Sequence, residues 1–302
     1  MILKNYIDSH IQHVNKNNIP QQMDLVLDGG AFNGIYMLGC LYYLKRIEEL
    51  KMTNVYRISG CSIGAVLGVF YIMNKLEHIE FFGNLTMKNI RSRQNLKNSI
   101  KKFRKVIEDL LIDYDISLFN NRLYITYFSV KKNKQIIKSK YKSKEDLINT
   151  IIYSLSIPFL VHRSPTCNNC IDGLFPHIFK KRYKNRKILF INLFTFDKIK
   201  NIIYIKGEEN LYNRIIYGIV HMHNLFNNDE SRMCSFIDDW SIIEITGFRL
   251  REIIFYVLFY FFTYGYKMID YIPLFVKDNS LSNKLINILI NLWDDLIIYL
   301  TF

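Results

Sequence analysis

The sequence has 302 residues, of which half are hydrophobic and 15% aromatic, and a formal net charge of +13. A chain of this length and composition can bury a substantial core, which excludes an intrinsically disordered protein. Its five cysteines are odd in number and scattered, which excludes a secreted disulfide framework. The positive charge favours contact with anionic surfaces, of which phospholipid headgroups and nucleic acid are two.

The N-terminal segment is polar. Residues 1–23 contain no uncharged apolar run of the kind found in secretory signal peptides. We therefore expect no signal peptide and an intracellular protein, either cytoplasmic or peripherally bound to a membrane. Residues 1–23 are assigned to an N-terminal extension.

The next fifty residues alternate between predicted strands and predicted helices. Asp24–Asp28 is a short apolar run that ends in glycines, as buried strands often do, and Gly34–Leu50 has apolar residues at helical spacing. Val55–Ile58 predicts a second strand. Ile63–Asn74 predicts a helix whose small residues allow close packing on a sheet. This order predicts an α/β fold with a mainly parallel sheet.

The middle of the chain predicts a mixture of elements. Residues 84–105 are basic and polar, which indicates a solvated helix or an insertion. Leu123–Val130 and Gln135–Lys140 predict a β-hairpin, and Ser143 begins a helix-start pattern. Lys187–Phe194 predicts a further strand.

The C-terminal region, residues 194–302, is predicted to be mainly helical and hydrophobic, and to pack on the core or at a membrane surface. Ile253–Tyr266 is a run without formal charge that is shorter than the about 20 residues of a membrane span. A buried helix is the first interpretation, an interfacial helix the second, and a span over 253–275 the third. Lys284–Phe302 is a second apolar stretch with a helical stripe.

A nucleophile-elbow pattern, Gly-x-Ser-x-Gly, follows the second predicted strand. Gly60, Ser62 and Gly64 form it, at the start of the next predicted helix. The glycines are needed because the sharp strand-to-helix turn leaves no room for side chains beside the serine. Ser62 then stands at a helix N-terminus, where the helix dipole favours a developing negative charge.

A glycine-rich turn follows the first predicted strand. Gly29, Gly30, Ala31 and Gly34 belong to this turn, called here the glycine loop (residues 29–34). Such a loop exposes consecutive backbone amides that can hold an anion, and in an acyl hydrolase the anion is the oxyanion of the tetrahedral intermediate. A nucleotide-binding loop fits poorly, because neither its glycine spacing nor its lysine is present.

The order of these motifs resembles the patatin-like phospholipases. That family combines a glycine-rich oxyanion loop and a Gly-x-Ser-x-Gly elbow with a distant Asp-Gly motif. Here the motif is Asp172-Gly173, and Tyr153–Pro158 resembles a further family segment. The resemblance covers Asp24 to Leu193. It implies a three-layer α/β sandwich with a mainly parallel central sheet, and a catalytic domain over residues 24–193.

The resemblance also implies an activity. The protein is expected to be a serine acyl hydrolase, phospholipase A-like, that cleaves fatty-acyl esters of lipids. Ser62 is the nucleophile, Asp172 the base, and the amides of Gly29, Gly30 and Ala31 hold the oxyanion. A partly desolvated setting is expected to raise the pKa of Asp172 and so improve it as a base.

Its expected partners are phospholipid or other acyl-lipid substrates and an anionic membrane surface. No cofactor, no metal and no nucleic acid are predicted, and the oligomeric state stays open. Three positions depart from the family pattern, because Ala31 replaces a glycine, Asn33 an arginine, and Leu174 a glycine or alanine.

Two alternatives remain open. One is a catalytically weak or inactive membrane-associated protein that keeps the patatin-like fold. The other is a triad esterase of the α/β-hydrolase type, in which His177, His221 or His223 completes a Ser-Asp-His set.

Overall fold

The structure is a computed structural model. It describes residues 2–91, 96–158, 166–180, 186–195 and 211–268, together with the single positions 202, 284, 288, 291 and 299. The second apolar stretch of the C-terminal region therefore lies outside the described residues, apart from four single positions.

One sheet of seven strands forms the centre of the described part of the chain. Six of the strands follow the order β4-β3-β2-β1-β6-β7, and β5 pairs with β3 outside this order. The strands β1, β2, β3 and β6 run parallel to one another, while β4, β5 and β7 are antiparallel additions. The predicted mainly parallel sheet is confirmed. The strands are β1 (Gln22–Leu27), β2 (Asn54–Cys61), β3 (Leu123–Ser129), β4 (Lys134–Lys138), β5 (Cys170–Asp172), β6 (Lys187–Ile191) and β7 (Cys234–Phe236).

Helices flank this sheet. Among them, α6 begins where the sequence predicts, because the Ser143 hydroxyl accepts a hydrogen bond from the Asp146 amide and so caps the first turn. The α-helices of the described residues are α1 (Ile2–Gln12), α2 (Gly34–Glu49), α3 (Ile63–Met73), α4 (Glu77–Arg91), α5 (Leu96–Leu111), α6 (Lys144–Ser154), α7 (Tyr212–Asn227) and α8 (Ile242–Met268).

The two faces of the sheet support two cores, as the alternation of side chains along a strand requires. Leu25 and Leu27 of β1 point into the larger core, which α2, α3 and α7 cover. Val26, between them, points into a second core that contains Phe248 of α8. The sheet therefore lies between helices on both faces, as the predicted sandwich requires.

The C-terminal half of the chain contributes to the larger core. Helix α7 packs against α2 where Gly39 and Gly218 face each other. A Cβ at Gly39 would collide with the Ile215 carbonyl, and one at Gly218 with the Tyr36 carbonyl. The two backbones are therefore in direct contact at this crossing. The predicted boundary between residues 193 and 194 stays a prediction.

The structure departs from the sequence predictions in three places. Two of these places are the short strands β5 and β7, which have no counterpart among the predicted elements. The basic stretch is helical where the structure describes it, in α4 (residues 84–91) and α5 (residues 96–105). The interpretation of Ile253–Tyr266 as a buried helix is wrong. This segment belongs to α8, and most of the α8 side chains that the structure describes are exposed, whereas Phe248 and Phe259 are buried.

The other sides of α8 are exposed and apolar. Large exposed side chains of this outer face include Ile243, Leu250, Ile253, Ile254, Tyr260 and Phe261. An apolar run without regular polar positions does not indicate which face a helix buries, so the sequence pattern does not predict this exposure. In the part of the chain that the structure describes, no helix combines the length and apolar character needed to cross a membrane.

Candidate active site

The nucleophile elbow lies between β2 and α3, and Ser62 is the residue at its tip. Its backbone has φ 51° and ψ −129°, a conformation that costs a non-glycine residue about 1–3 kcal/mol. The flanking glycines make this turn sterically feasible. A Cβ on Gly60 would lie 2.5 Å from the Gly64 carbonyl oxygen, and one on Gly64 would lie 2.6 Å from the Asp28 carbonyl oxygen.

Asp172 is brought to Ser62 by strand register. β2 and β5 both pair with β3, and β5 occupies the stretch of β3 immediately beyond the end of β2. Cys61 of β2 lies opposite Thr126, and Asp172 of β5 lies opposite Tyr127, the next residue along β3. The two strands therefore meet end to end, with Ser62 and Asp172 at their facing ends.

Burial changes the acidity of Asp172. It is fully buried, and this burial raises the pKa of its carboxyl group from 3.8 to about 6. The nearby Ser62 hydroxyl and the Leu174 amide, which donates to Oδ1 at 2.8 Å, oppose part of the rise. Within the described residues, Oδ2 has no hydrogen-bond partner of good geometry. A carboxylate with this pKa is a better proton acceptor than an ordinary aspartate.

Two serines of the 153–158 segment hold both residues in place. The Ser62 amide donates to Ser154 Oγ at 2.8 Å, and that hydroxyl donates to the Thr126 carbonyl at 2.7 Å. The Asp172 amide donates to the Ser156 carbonyl at 3.0 Å. The resemblance to the patatin-like family indicated this segment. The Ser-x-Ser spacing at the end of a predicted helix is the sequence feature that carries its role beside the site.

The glycine loop lies against the elbow. A Cβ on Gly29 would lie 3.3 Å from Ser62 Cβ. Gly30 has φ 151° and Ala31 φ 45°, and residues Ala31–Asn33 form a 3₁₀ turn that leads into α2. The Gly29 amide donates to Asp28 Oδ1 at 3.0 Å. Among the described residues, the amides of Gly30 and Ala31 have no hydrogen-bond acceptor.

A family model described as patatin-like phospholipase matches residues 25–175, half of the chain. The chain belongs to the patatin-like phospholipase family. This match spans the glycine loop, the elbow, the Ser154–Ser156 segment and Asp172. Patatin-like proteins generally hydrolyse lipid esters. No curated protein matches the sequence significantly.

The three departures from the patatin-like pattern have structural consequences. Ala31 and Leu174, which stand in place of small or glycine residues, both keep positive φ, at 45° and 56°. The backbone therefore retains a glycine-type conformation although the glycines are gone. Asn33, in place of the arginine, donates to the Leu193 carbonyl at 3.1 Å and accepts from Arg214 at 3.4 Å.

The three histidines named in the triad alternative each contact a tyrosine, phenylalanine or serine side chain. His177 packs against the rings of Tyr124 and Phe179. His221 lies 3.3 Å from the Ser231 hydroxyl, and His223 lies 3.0 Å from the Tyr43 hydroxyl.

In the described parts of the chain, no group of three or more His, Cys, Asp or Glu side chains is arranged to hold a metal ion.

Proposed function

We propose that this patatin-like protein is a lipid acyl hydrolase that cleaves fatty-acyl esters with Ser62 as nucleophile and Asp172 as base, together called the dyad. The observation that carries the proposal is the end-to-end meeting of β2 and β5, which places a strained serine beside a buried carboxylate. The raised pKa of that carboxylate, about 6, supports the assignment of the base.

The reaction follows from the positions of these groups. Ser62 Oγ attacks the ester carbonyl carbon while Asp172 accepts the hydroxyl proton, which gives a tetrahedral intermediate. The amides of Gly30 and Ala31 donate to its oxyanion, and Asp28 holds the Gly29 amide so that the loop keeps its shape. The alcohol leaves with the proton from Asp172. Water then attacks the acyl-enzyme carbonyl while Asp172 accepts its proton. As the bond between the acyl carbon and Ser62 Oγ breaks, Asp172 returns that proton to Ser62 Oγ and the fatty acid is released.

A membrane is the proposed source of the substrate. The outer face of α8 exposes apolar and tyrosine side chains, which suit the boundary between headgroups and acyl chains. The inner side of the same helix reaches the site, because Phe259 packs with Phe128, Ile171 and the partly buried Leu174. The net charge of +13 suits an anionic surface. We propose that α8 lies on the membrane and does not cross it.

The hydrolase proposal is tested with mixed phospholipid vesicles and mass spectrometry of the products. The intact protein should release free fatty acid, and Ser62→Ala should not. A fluorophosphonate probe should label the intact protein at Ser62 faster than it labels free serine. Fatty-acid release by both proteins, or by neither, would contradict the proposal. Labelling no faster than free serine would favour an inactive protein with a patatin-like fold.

The membrane proposal is tested by sedimentation with vesicles of phosphatidylcholine and phosphatidylserine. Ile254→Asp together with Phe261→Asp should weaken binding at least tenfold, because two charges enter the apolar face. Ile2→Asp together with Ile112→Asp is the matched control, since both residues are exposed isoleucines outside α8. Equal loss in the two double variants would indicate a general charge effect and contradict the role of α8.

A further inference from the structure

Asp28 is a buried carboxylate at the base of the glycine loop. It follows β1 directly and precedes Gly29, and its side chain is completely buried. Two backbone amides donate to it, Gly29 to Oδ1 at 3.0 Å and Leu193 to Oδ2 at 3.4 Å. Burial raises the pKa of Asp28, and the neighbouring Arg251 opposes this rise. Arg251 therefore favours the ionised form of Asp28, in which both carboxylate oxygens accept hydrogen bonds.

Arg251 binds Asp28 with both ends of its guanidinium group. Nη1 lies 2.8 Å from Oδ2, and Nη2 lies 3.2 Å from Oδ1. Nη1 also donates to Asn192 Oδ1 at 3.3 Å. The rings of Phe194 and Phe248 lie 5.1 and 5.0 Å from the guanidinium carbon. A bidentate pair fixed on several sides restricts the orientation of the carboxylate and of the amide bound to it.

The arginine comes from a distant part of the chain. Arg251 lies in α8, outside residues 25–175 that match the family model. Within the glycine loop, Asn33 stands where the resemblance places an arginine. The loop therefore has no arginine of its own, and α8 provides one that binds Asp28, the residue immediately before the loop. The same helix exposes the apolar outer face described above.

We propose that Arg251 is a positioning residue that acts through Asp28 to hold the glycine loop in the shape that binds the oxyanion. This inference rests on the proposed function, because it concerns the same site. The hydrogen bonds of Arg251 go to Asp28 and Asn192 and not to Ser62 or Asp172, so we expect its effect on the loop rather than on the dyad. Loss of the pair leaves Asp28 without its compensating charge, and the peptide between Asp28 and Gly29 is then free to turn.

The experiment uses the full chain and a soluble ester, p-nitrophenyl butyrate, so that membrane binding does not contribute. Arg251→Met should lower kcat about 10²-fold with a change in KM of less than about threefold, because the oxyanion forms only in the transition state. Arg251→Lys keeps the charge but not the bidentate contact, so it should recover about tenfold of that loss. Arg249→Met is the matched control, an exposed arginine two residues away, and should stay within about twofold.

Stability is measured separately so that a folding defect is not mistaken for a loop defect. Asp28→Asn combined with Arg251→Met removes both buried charges, so its melting temperature should exceed that of Arg251→Met while kcat stays low. A folded Arg251→Met with kcat within threefold of wild type would overturn the inference. A wild-type kcat in the double variant would also overturn the inference. The double variant therefore provides the test if Arg251→Met does not fold. Absence of Ser62-dependent turnover in the wild type is a different result, which overturns the proposed function itself.

Discussion

The two sides of the site are held by different parts of the chain. On the dyad side, Ser62 and Asp172 are fixed by Ser154, Ser156 and the register of β3, all within residues 25–175. On the side of the glycine loop, Asp28 and Asn33 are held by Leu193, Arg214 and Arg251, all beyond that range.

This difference separates what the family fold supplies from what the rest of the chain adds. The dyad side uses backbone pairing and short side chains, and it remains close to the patatin-like pattern. The glycine loop has lost a glycine and an arginine from that pattern, and contacts from the C-terminal part now surround it. Changes on the dyad side should therefore affect proton transfer, whereas changes around the loop should affect oxyanion binding and loop stability.

The largest expected effect is that of Asp172→Asn, which removes the base but keeps an acceptor for the Leu174 amide. Activity should fall roughly 10³-fold, within the range of about 10²–10⁴ for general bases. The folded pKa of Asp172, about 6, is higher than its unfolded value of 3.8. The folded state therefore binds more protons between these values, so ionised Asp172 lowers the unfolding free energy as pH rises through this window.

Asp172→Asn should consequently be more stable than wild type at pH 8, by about 2–3 kcal/mol for a shift of about two units. The difference should shrink as the pH falls and vanish below both pKa values, that is, at pH lower than about 3. Urea unfolding at both pH values measures it, with the exposed Asp113→Asn as the control. Equal stabilities at pH 8 would mean that Asp172 is not strained by burial, and they would weaken its assignment as the base.

The second effect is the pH dependence of the wild type. Because Asp172 must be ionised to accept the proton, kcat/KM should fall about tenfold for each pH unit below about 6 and reach a plateau above it. Arg251→Lys should lower the plateau without moving the midpoint, since Arg251 contacts the loop side. A shift of the pH midpoint of kcat/KM in Arg251→Lys would show that the glycine-loop side and the dyad side are not independent.

The third effect concerns the anchor of the elbow. Ser154→Ala removes the acceptor of the Ser62 amide, so the unfolding free energy should fall by about 1–3 kcal/mol and activity about tenfold. Ser156→Ala is the matched control, because Asp172 binds the Ser156 carbonyl and not its hydroxyl. Similar activity losses in the two variants would argue against a specific role for Ser154.

The smallest effect should come from Ala31→Gly in the glycine loop. The positive φ of Ala31 is unfavourable for a side chain, so glycine should raise the unfolding free energy by about 0.5–1 kcal/mol. Activity should stay within about twofold, because the amide remains. Ala65→Gly, in the first turn of α3, should instead destabilise the protein by about 1 kcal/mol. Destabilisation by Ala31→Gly would show that the loop is not strained there.

The parts of the fold that follow from local patterns were predictable. The first two strand–turn–helix units, the β3–β4 hairpin and the Ser143 cap each depend on residues a few positions apart. Ser62 could be singled out for the same reason. Asp172 needed the family resemblance, because β5 has three residues and no periodicity of its own.

The contacts that support the site could not be predicted from the sequence, for a different reason. Arg251 and Asp28 are separated by 223 positions, and nothing in either neighbourhood indicates the other. The exposure of α8 was equally hidden, since an apolar helix has the same composition whether it faces a core or a bilayer. Long-range pairing and solvent exposure are properties of the assembled fold.

The end-to-end meeting of β2 and β5 also determines where the chain tolerates insertions and deletions. The facing ends of β2 and β5, Cys61 and Asp172, pair with consecutive residues of β3, Thr126 and Tyr127, which are one strand step of about 3.4 Å apart. One residue added between them would double that step and turn the following side chains to the opposite face of the sheet. Over a hundred residues separate Ser62 from Asp172 along the chain, and loops among them can change length. The length of β3 between Thr126 and Tyr127 cannot change without moving Asp172 relative to Ser62.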